Sequence, residues 1–191
     1  MLSIKLITPP VLEPVTLDEA KAWLKLESPD DDNVVMRLIA AARQMVERYT
    51  RRALLTQTWR LSYSQRSLQP SLVLPMAPAC QIISRSVQSE TGSQGPIDLS
   101  GVWLDVGSEP PRLVFQKPYL ANQCLPFSSQ SVTVTFDIRF GYGDQPSTVP
   151  EALKQAVLVF VAQAYEKRCA ADLVPVEPIA GLIAPYMIRR I

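Results

Sequence analysis

The chain has 191 residues, 47% of them hydrophobic, with 19 Lys+Arg against 18 Asp+Glu and no histidine. That length and apolar content suit a globular fold of one domain or two small ones. The even charge excludes a general pull toward nucleic acid or an anionic membrane, and the missing imidazole removes the commonest general base and metal ligand together with every Ser-His or Cys-His pair.

Nothing in Met1–Lys5 resembles the apolar core of a signal peptide, and no run approaches the roughly 18 apolar residues of a membrane span. Residues 1–15 carry Pro9, Pro10 and Pro14 and read as an extended arm, because proline biases the residue before it away from helix. Thr16-Leu17-Asp18-Glu19 reads as a capping box. Leu17, Ala20, Trp23 and Leu24 then form the apolar stripe of a short helix ending near Leu26. Asp30, Asp31 and Asp32 lack the glycine turn and closing glutamate of a calcium loop. They read as the acidic start of the next helix, favoured by its dipole, and no metal site is expected.

That helix runs over about 32–52, with Val35, Leu38, Ile39, Ala42, Met45, Val46 and Tyr49 at helical spacing. Arg37, Arg48, Arg51 and Arg52 fall on the opposite side. They read as a solvated face or, more sharply, as a basic surface for phosphate or an acidic partner.

From Thr56 the period becomes two: Trp59, Leu61 and Tyr63 alternate with polar residues. Short strands follow at 72–74, 80–87, 102–104 and 113–115, with a polar hairpin tip over 89–100 and irregular chain over 117–130. Val132, Val134, Phe136, Ile138 and Phe140 alternate with polar residues in the clearest strand of the chain. After Gly141-Tyr142-Gly143-Asp144, a helix over 148–168 begins with Thr148 as cap, Pro150 in the first turn and Glu151 reaching back. It is apolar most of the way round, which implies burial on more than one side or a face spare for another subunit. Beyond it, Pro175, Pro178 and Pro185 alternate with apolar residues up to Tyr186-Met187-Ile188-Arg189-Arg190-Ile191. This reads as a stiff docking arm, too rich in proline for helix; the alternative is that it folds back on its own domain. The three cysteines, Cys80, Cys124 and Cys169, form no CxxC, so neither zinc nor a redox motif is expected, and free thiols fit a reducing cytosol.

The expected fold is α+β. A small bundle of three main helices (1–55 and 144–168) is interrupted by an antiparallel β-rich insert (56–143), and an extended Pro-rich C-terminal docking arm (169–191) follows. Trp59, Leu61, Phe115, Val134 and Phe136 are expected to form the core of the insert.

The order of these features resembles the head–tail connector (adaptor, or head-completion) proteins of long-tailed phages, prophages and gene-transfer agents. The resemblance rests on Val15-Thr16-Leu17-Asp18-Glu19-Ala20-Lys21-Ala22-Trp23-Leu24, on Leu38 to Arg43, on Val46 to Leu54 with Thr56-Gln57-Thr58-Trp59, on Phe140-Gly141-Tyr142-Gly143 with Val149 to Ala156, and on Leu182-Ile183-Ala184-Pro185-Tyr186. It covers nearly the whole chain; Met187 stands where the pattern would have arginine. It implies a non-enzymatic virion protein, made in the bacterial host cytoplasm and located at the neck. There it would form a homo-oligomeric ring, twelvefold in the virion even if monomeric alone, between the portal and a tail-side stopper or tail-completion protein. Double-stranded DNA would pass through it without sequence recognition, and neither cofactor nor membrane is implied. Leu182, Ile183, Pro185, Tyr186, Arg189 and Arg190 would dock on the portal. Arg37, Arg48, Arg51 and Arg52 would line the channel or meet the next subunit.

Two other readings compete. Trp59, Tyr63 and Trp103 could form a stacking platform in a carbohydrate- or peptide-binding module. Asp98, Asp105 or Asp137 could serve a histidine-free hydrolase, although no motif pairs them.

Overall fold

The computed structural model describes residues 2–64, 69–89, 99, 101–115, 132–167 and 176–188. The chain divides into two compact units, one of residues 1–9 and 57–140, the other of residues 10–56 and 141–191.

The first unit is built of strands. β1 (Leu2–Thr8), β2 (Gln57–Ser64), β7 (Val132–Phe140) and β4 (Ala79–Ser89) form a four-stranded sheet in the order β1-β2-β7-β4, and β3 (Ser71–Val73), β6 (Arg112–Phe115) and β5 (Val102–Asp105) form a second sheet in the order β3-β6-β5. All pairings among the described residues are antiparallel. β7 lies between β2 and β4, and its alternation is realised: Val134, Phe136, Ile138 and Phe140 are fully buried, while Arg139 between them is exposed. The register sets Leu61 opposite Phe136 and Tyr63 opposite Val134, so one face of the sheet carries the core. Phe136 meets Phe115 and Tyr63 edge-on, at ring separations of 6.2 and 6.3 Å.

Two expectations change here. The N-terminal segment, expected as an extended arm, is extended but paired: Leu2–Thr8 joins β2 and extends the sheet. Trp59 is only half-buried, whereas Leu61, Phe115, Val134 and Phe136 are buried as expected, joined by Leu113, Ile138 and Phe140. The hairpin tip, apart from Ser89, Leu99 and the strand ends, and the irregular stretch over 117–130 lie outside the described residues.

The described residues of the second unit form four helices: α1 (Leu17–Leu24), α2 (Asp32–Thr50), α3 (Glu151–Lys167) and α4 (Val176–Ile183). The capping box at α1 is complete. The Glu19 amide donates to the Thr16 hydroxyl at 3.2 Å, and the Thr16 amide donates to the Glu19 carboxylate at 2.7 Å. Lys25 closes α1 in a left-handed conformation, φ 57°. Asp32 pairs with Lys21 at 2.6 Å, and the Tyr165 hydroxyl donates to Asp31 at 2.5 Å. These aspartates tie helix ends together. Among the described residues no cluster of His, Cys, Asp or Glu could hold a metal ion, and no helix is long and apolar enough to cross a membrane.

Ala20, Val35, Ile39, Ala42, Val46, Leu54, Leu153, Ala156, Val157, Phe160, Val161, Ile179 and Ile183 form one buried cluster. The Tyr49 and Phe160 rings stack within this unit at 6.4 Å. Trp23, expected in the buried stripe of α1, is 46% exposed; Ala20 carries the contact instead, with Leu17 and Leu24 packed beside it. At α3 the Thr148 hydroxyl donates to the Gln145 carbonyl at 2.6 Å, finishing a 3-10 turn over Pro146–Thr148. Glu151 pairs forward with Lys154, so the capping box expected there gives way to that turn. Gly141 has φ +132°, and a Cβ on it would lie 2.5 Å from the Leu55 carbonyl, so only glycine fits this crossing.

The largest correction concerns the end of the chain. The expected extended arm contains α4, whose Ile179 and Ile183 are completely buried in the helical core. Pro178 is compatible because it is the third residue of α4, where the missing amide would have had no intrahelical partner. Pro185 lies in a 3-10 turn over Ala184–Tyr186. The segment therefore folds back on its own unit. The described residues of the helical unit form four helices, where three main ones were expected.

Candidate functional site: the helical unit and its C-terminal segment

α2 ends at Arg51, a left-handed cap with φ 57°, and Arg52 turns toward the C-terminal segment. Its Nε donates to the Tyr186 carbonyl at 2.6 Å, and its guanidinium lies 5.9 Å from the centre of the Tyr186 ring. Two residues on, the Ile188 amide donates to the Thr50 carbonyl at 3.2 Å. Burial pushes the Tyr142 hydroxyl above its ordinary pKa, and Arg52 opposes that rise through its charge and a hydrogen bond. Arg52, Tyr142 and Tyr186 thus form one cluster that seats residues 184–188 against the end of α2.

Of the residues assigned to portal docking, Leu182 and Tyr186 are half-buried, Ile183 is buried and Pro185 is exposed. Arg189 and Arg190 lie outside the described residues. Of the four arginines on α2, Arg37 and Arg48 are exposed and Arg51 is half-buried. Arg52 departs from that face, because its side chain is committed to Tyr186. α3, expected to have surface to spare, has no exposed position from Ala152 to Tyr165.

Sequence reasoning missed Arg43. Its guanidinium is buried, bonded through Nε to Glu13 at 2.7 Å and through Nη1 to Glu47 at 3.0 Å. Glu47 also accepts the Leu54 amide at 2.9 Å. The network joins the 10–15 segment, α2 and the chain after α2. The available signal was two opposite charges four residues apart, next to the core positions Ala42 and Val46.

The competing sites do not assemble. Tyr63 is 5% exposed and Trp59 is half-buried, while Trp103, 51% exposed, belongs to the other sheet; the three rings offer no common platform. Asp137 accepts Arg60 through both carboxylate oxygens, at 2.7 and 2.9 Å, and accepts the Ser84 hydroxyl at 2.8 Å. These bonds hold it below the ordinary carboxylate range, which suits a strand clamp and opposes a proton donor. Asp105 is likewise held low, chiefly by the Ser108 hydroxyl. Asp98 lies outside the described residues.

Residues 14–82 match the family model described as phage gp6-like head-tail connector protein. The fold is similar to chains in three solved structures. One, from the virion of a native gene transfer agent (GTA) particle, is 22% identical, with a TM-score of 0.74 over 98% of this chain and 96% of that chain. Another, from the neck of an empty GTA particle computed with C6 symmetry, is 22% identical with a TM-score of 0.73, covering 99% of this chain and 97% of that one. The third, from the neck of a native GTA particle computed with C12 symmetry, is 24% identical with a TM-score of 0.71, covering 98% and 97%. At these identities the likeness is one of fold. No curated protein matches the sequence. The family match runs from Pro14 to Ile82, through α1, α2 and into β4, and spans less than half of the chain.

Proposed function

We propose that the protein is a structural connector that forms a ring in the virion neck, at the head–tail junction. The observation that carries this reading is the connector-family match over residues 14–82, joined to a fold shared over 98% of the chain with a subunit from a GTA neck computed with C12 symmetry. A closed ring needs two different patches on each copy, and several large apolar side chains are exposed to supply them, among them Val11, Trp23, Val34 and Met36.

In this reading the ring stands between a portal protein and a tail-side stopper or tail-completion protein, in twelve copies in the virion, with duplex DNA passing through and no reaction catalysed. The 169–191 region acts as the portal-docking part. Pro185, half-buried Leu182 and Tyr186, and the terminal Arg189 and Arg190 supply its contact, while Ile183 anchors it from inside. Pro178 and Pro185 restrict the chain and lower the entropy lost on docking. Arg37, Arg48 and Arg51 remain for the channel or for a neighbouring subunit.

The test is to delete the gene and examine the particles, then label the tagged protein in complemented ones. We expect DNA-filled heads without tails, restored on complementation, with label at the neck. Normal tailed particles in its absence would overturn the proposal.

A further inference from the structure

The exposed side of α2 carries charge that no described residue answers with an ion pair. Arg37 and Arg48 are exposed and Arg51 is half-buried. No ion pair joins any of them to a described residue. The two acids of α2 are already engaged, Asp32 by Lys21 and Glu47 by Arg43. Arginines in the last turn of a helix stabilise its dipole, and that accounts for Arg48. It does not account for Arg37, which sits in the second turn, near the positive end. Arg37 and Arg48 are eleven residues apart, about 16 Å along the axis, with the small Ala41 between them on the same side. The helix thus offers a shallow strip with a cation at each end.

The corner between α1 and α2 has the opposite character. Glu27 and Asp30 are exposed, and neither meets a cation among the described residues. The four acids at 27, 30, 31 and 32 outnumber the two lysines of the corner, Lys21 and Lys25. Trp23, 46% exposed, stands four residues before Glu27. An exposed indole and exposed carboxylates a few residues apart in the chain suit a guanidinium, which can stack on a ring or pair with an acid.

We propose that Arg37 and Arg48 of one copy seat on the Trp23–Glu27–Asp30 corner of the next copy, giving the ring its head-to-tail contact. The inference rests on the ring proposed above. Its basis is charge complementarity between two different surfaces of one unit. Such a pair propagates from copy to copy, as a heterologous contact must, where a self-complementary patch would stop at a dimer.

The test uses the full chain in particles assembled from charge-reversed copies. Arg37→Glu with Arg48→Glu should cut the number of copies retained in the neck about tenfold or more, since like charges then face each other. Glu27→Lys with Asp30→Lys should do the same. A chain carrying all four changes should recover most of the loss, because opposite charges face each other again. Circular dichroism of each purified variant checks folding, and Arg37→Gln with Arg48→Gln, a milder change, should give an intermediate loss. Failure of the four-change chain to recover, with folding intact, overturns the pairing. So does unchanged retention in the arginine variant with a loss of duplex DNA binding, which would assign the strip to nucleic acid. Wild-type protein absent from the neck would instead overturn the ring itself, so the two failures are distinguishable.

Discussion

Arg52 and Tyr186 are 134 residues apart in sequence, yet the Arg52 guanidinium both donates to the Tyr186 carbonyl and lies over its ring. One side chain thereby fixes the backbone and the aromatic group of the C-terminal segment against the end of α2. Arg52→Ala should free residues after Ile183 while leaving α4 seated. It should lower the unfolding free energy by about 1–2 kcal/mol, the size of one part-buried charged hydrogen bond with a cation–π contact. Limited proteolysis followed by mass spectrometry should show faster cleavage after Tyr186, and urea titration gives the stability change.

The seat of α4 itself is apolar. Ile183→Ala leaves a cavity where a fully buried side chain stood and should cost about 2–5 kcal/mol. Pro185→Ala, at an exposed position, should cost less than about 1 kcal/mol. Paired denaturant titrations compare the two; equal effects would mean that Ile183 does not anchor the segment.

Arg43 holds two carboxylates, one of them the buried Glu47. Arg43→Met strands that charge and should cost about 3–5 kcal/mol. Arg43→Met combined with Glu47→Met should cost less than the sum of the single changes, because no lone charge remains. A double-mutant cycle by chemical denaturation measures the difference.

The pH dependence follows from two carboxylates shifted down and one tyrosine shifted up. Asp137 is held below its ordinary value first by Arg60, so its contribution to stability is present above about pH 4 and is lost as the pH falls through its folded value. Glu19, lowered by the Thr16 amide, acts in the same direction. Arg60→Gln should therefore raise the pH midpoint of acid unfolding, read by circular dichroism. At the alkaline end, burial pushes the Tyr63 hydroxyl up to about 12. Its contribution is complete below about pH 10 and is lost as the pH rises toward the folded value. Tyr63→Phe should flatten that alkaline loss. At pH 7 it should be neutral or mildly stabilising, within about 1 kcal/mol, because the hydroxyl is buried without a partner among the described residues.

Features set by near neighbours in the chain were legible in the residues. The Thr16–Glu19 capping box needs four consecutive residues. The alternation of Val134, Phe136, Ile138 and Phe140 needs only a period of two, and the α2 stripe from Val35 to Tyr49 a period of 3.6. Each is a short-range preference of the backbone, so composition and spacing alone determined these elements, the mixed α+β class and the location of most of the core.

Tertiary structure decided what depends on distant neighbours. Leu2–Thr8 becomes a strand because β2 offers it an edge to pair with, and no local feature of a proline-flanked segment announces that edge. Arg43 and Glu47 are buried only because Glu13 and the Leu54 amide arrive to satisfy them. α4 forms despite Pro178 because Ile179 and Ile183 gain a site in the helical core. That burial decided between a docking arm and a segment folded back on its own domain, since the free energy of a contact resides in both partners and one stretch of chain holds only one of them.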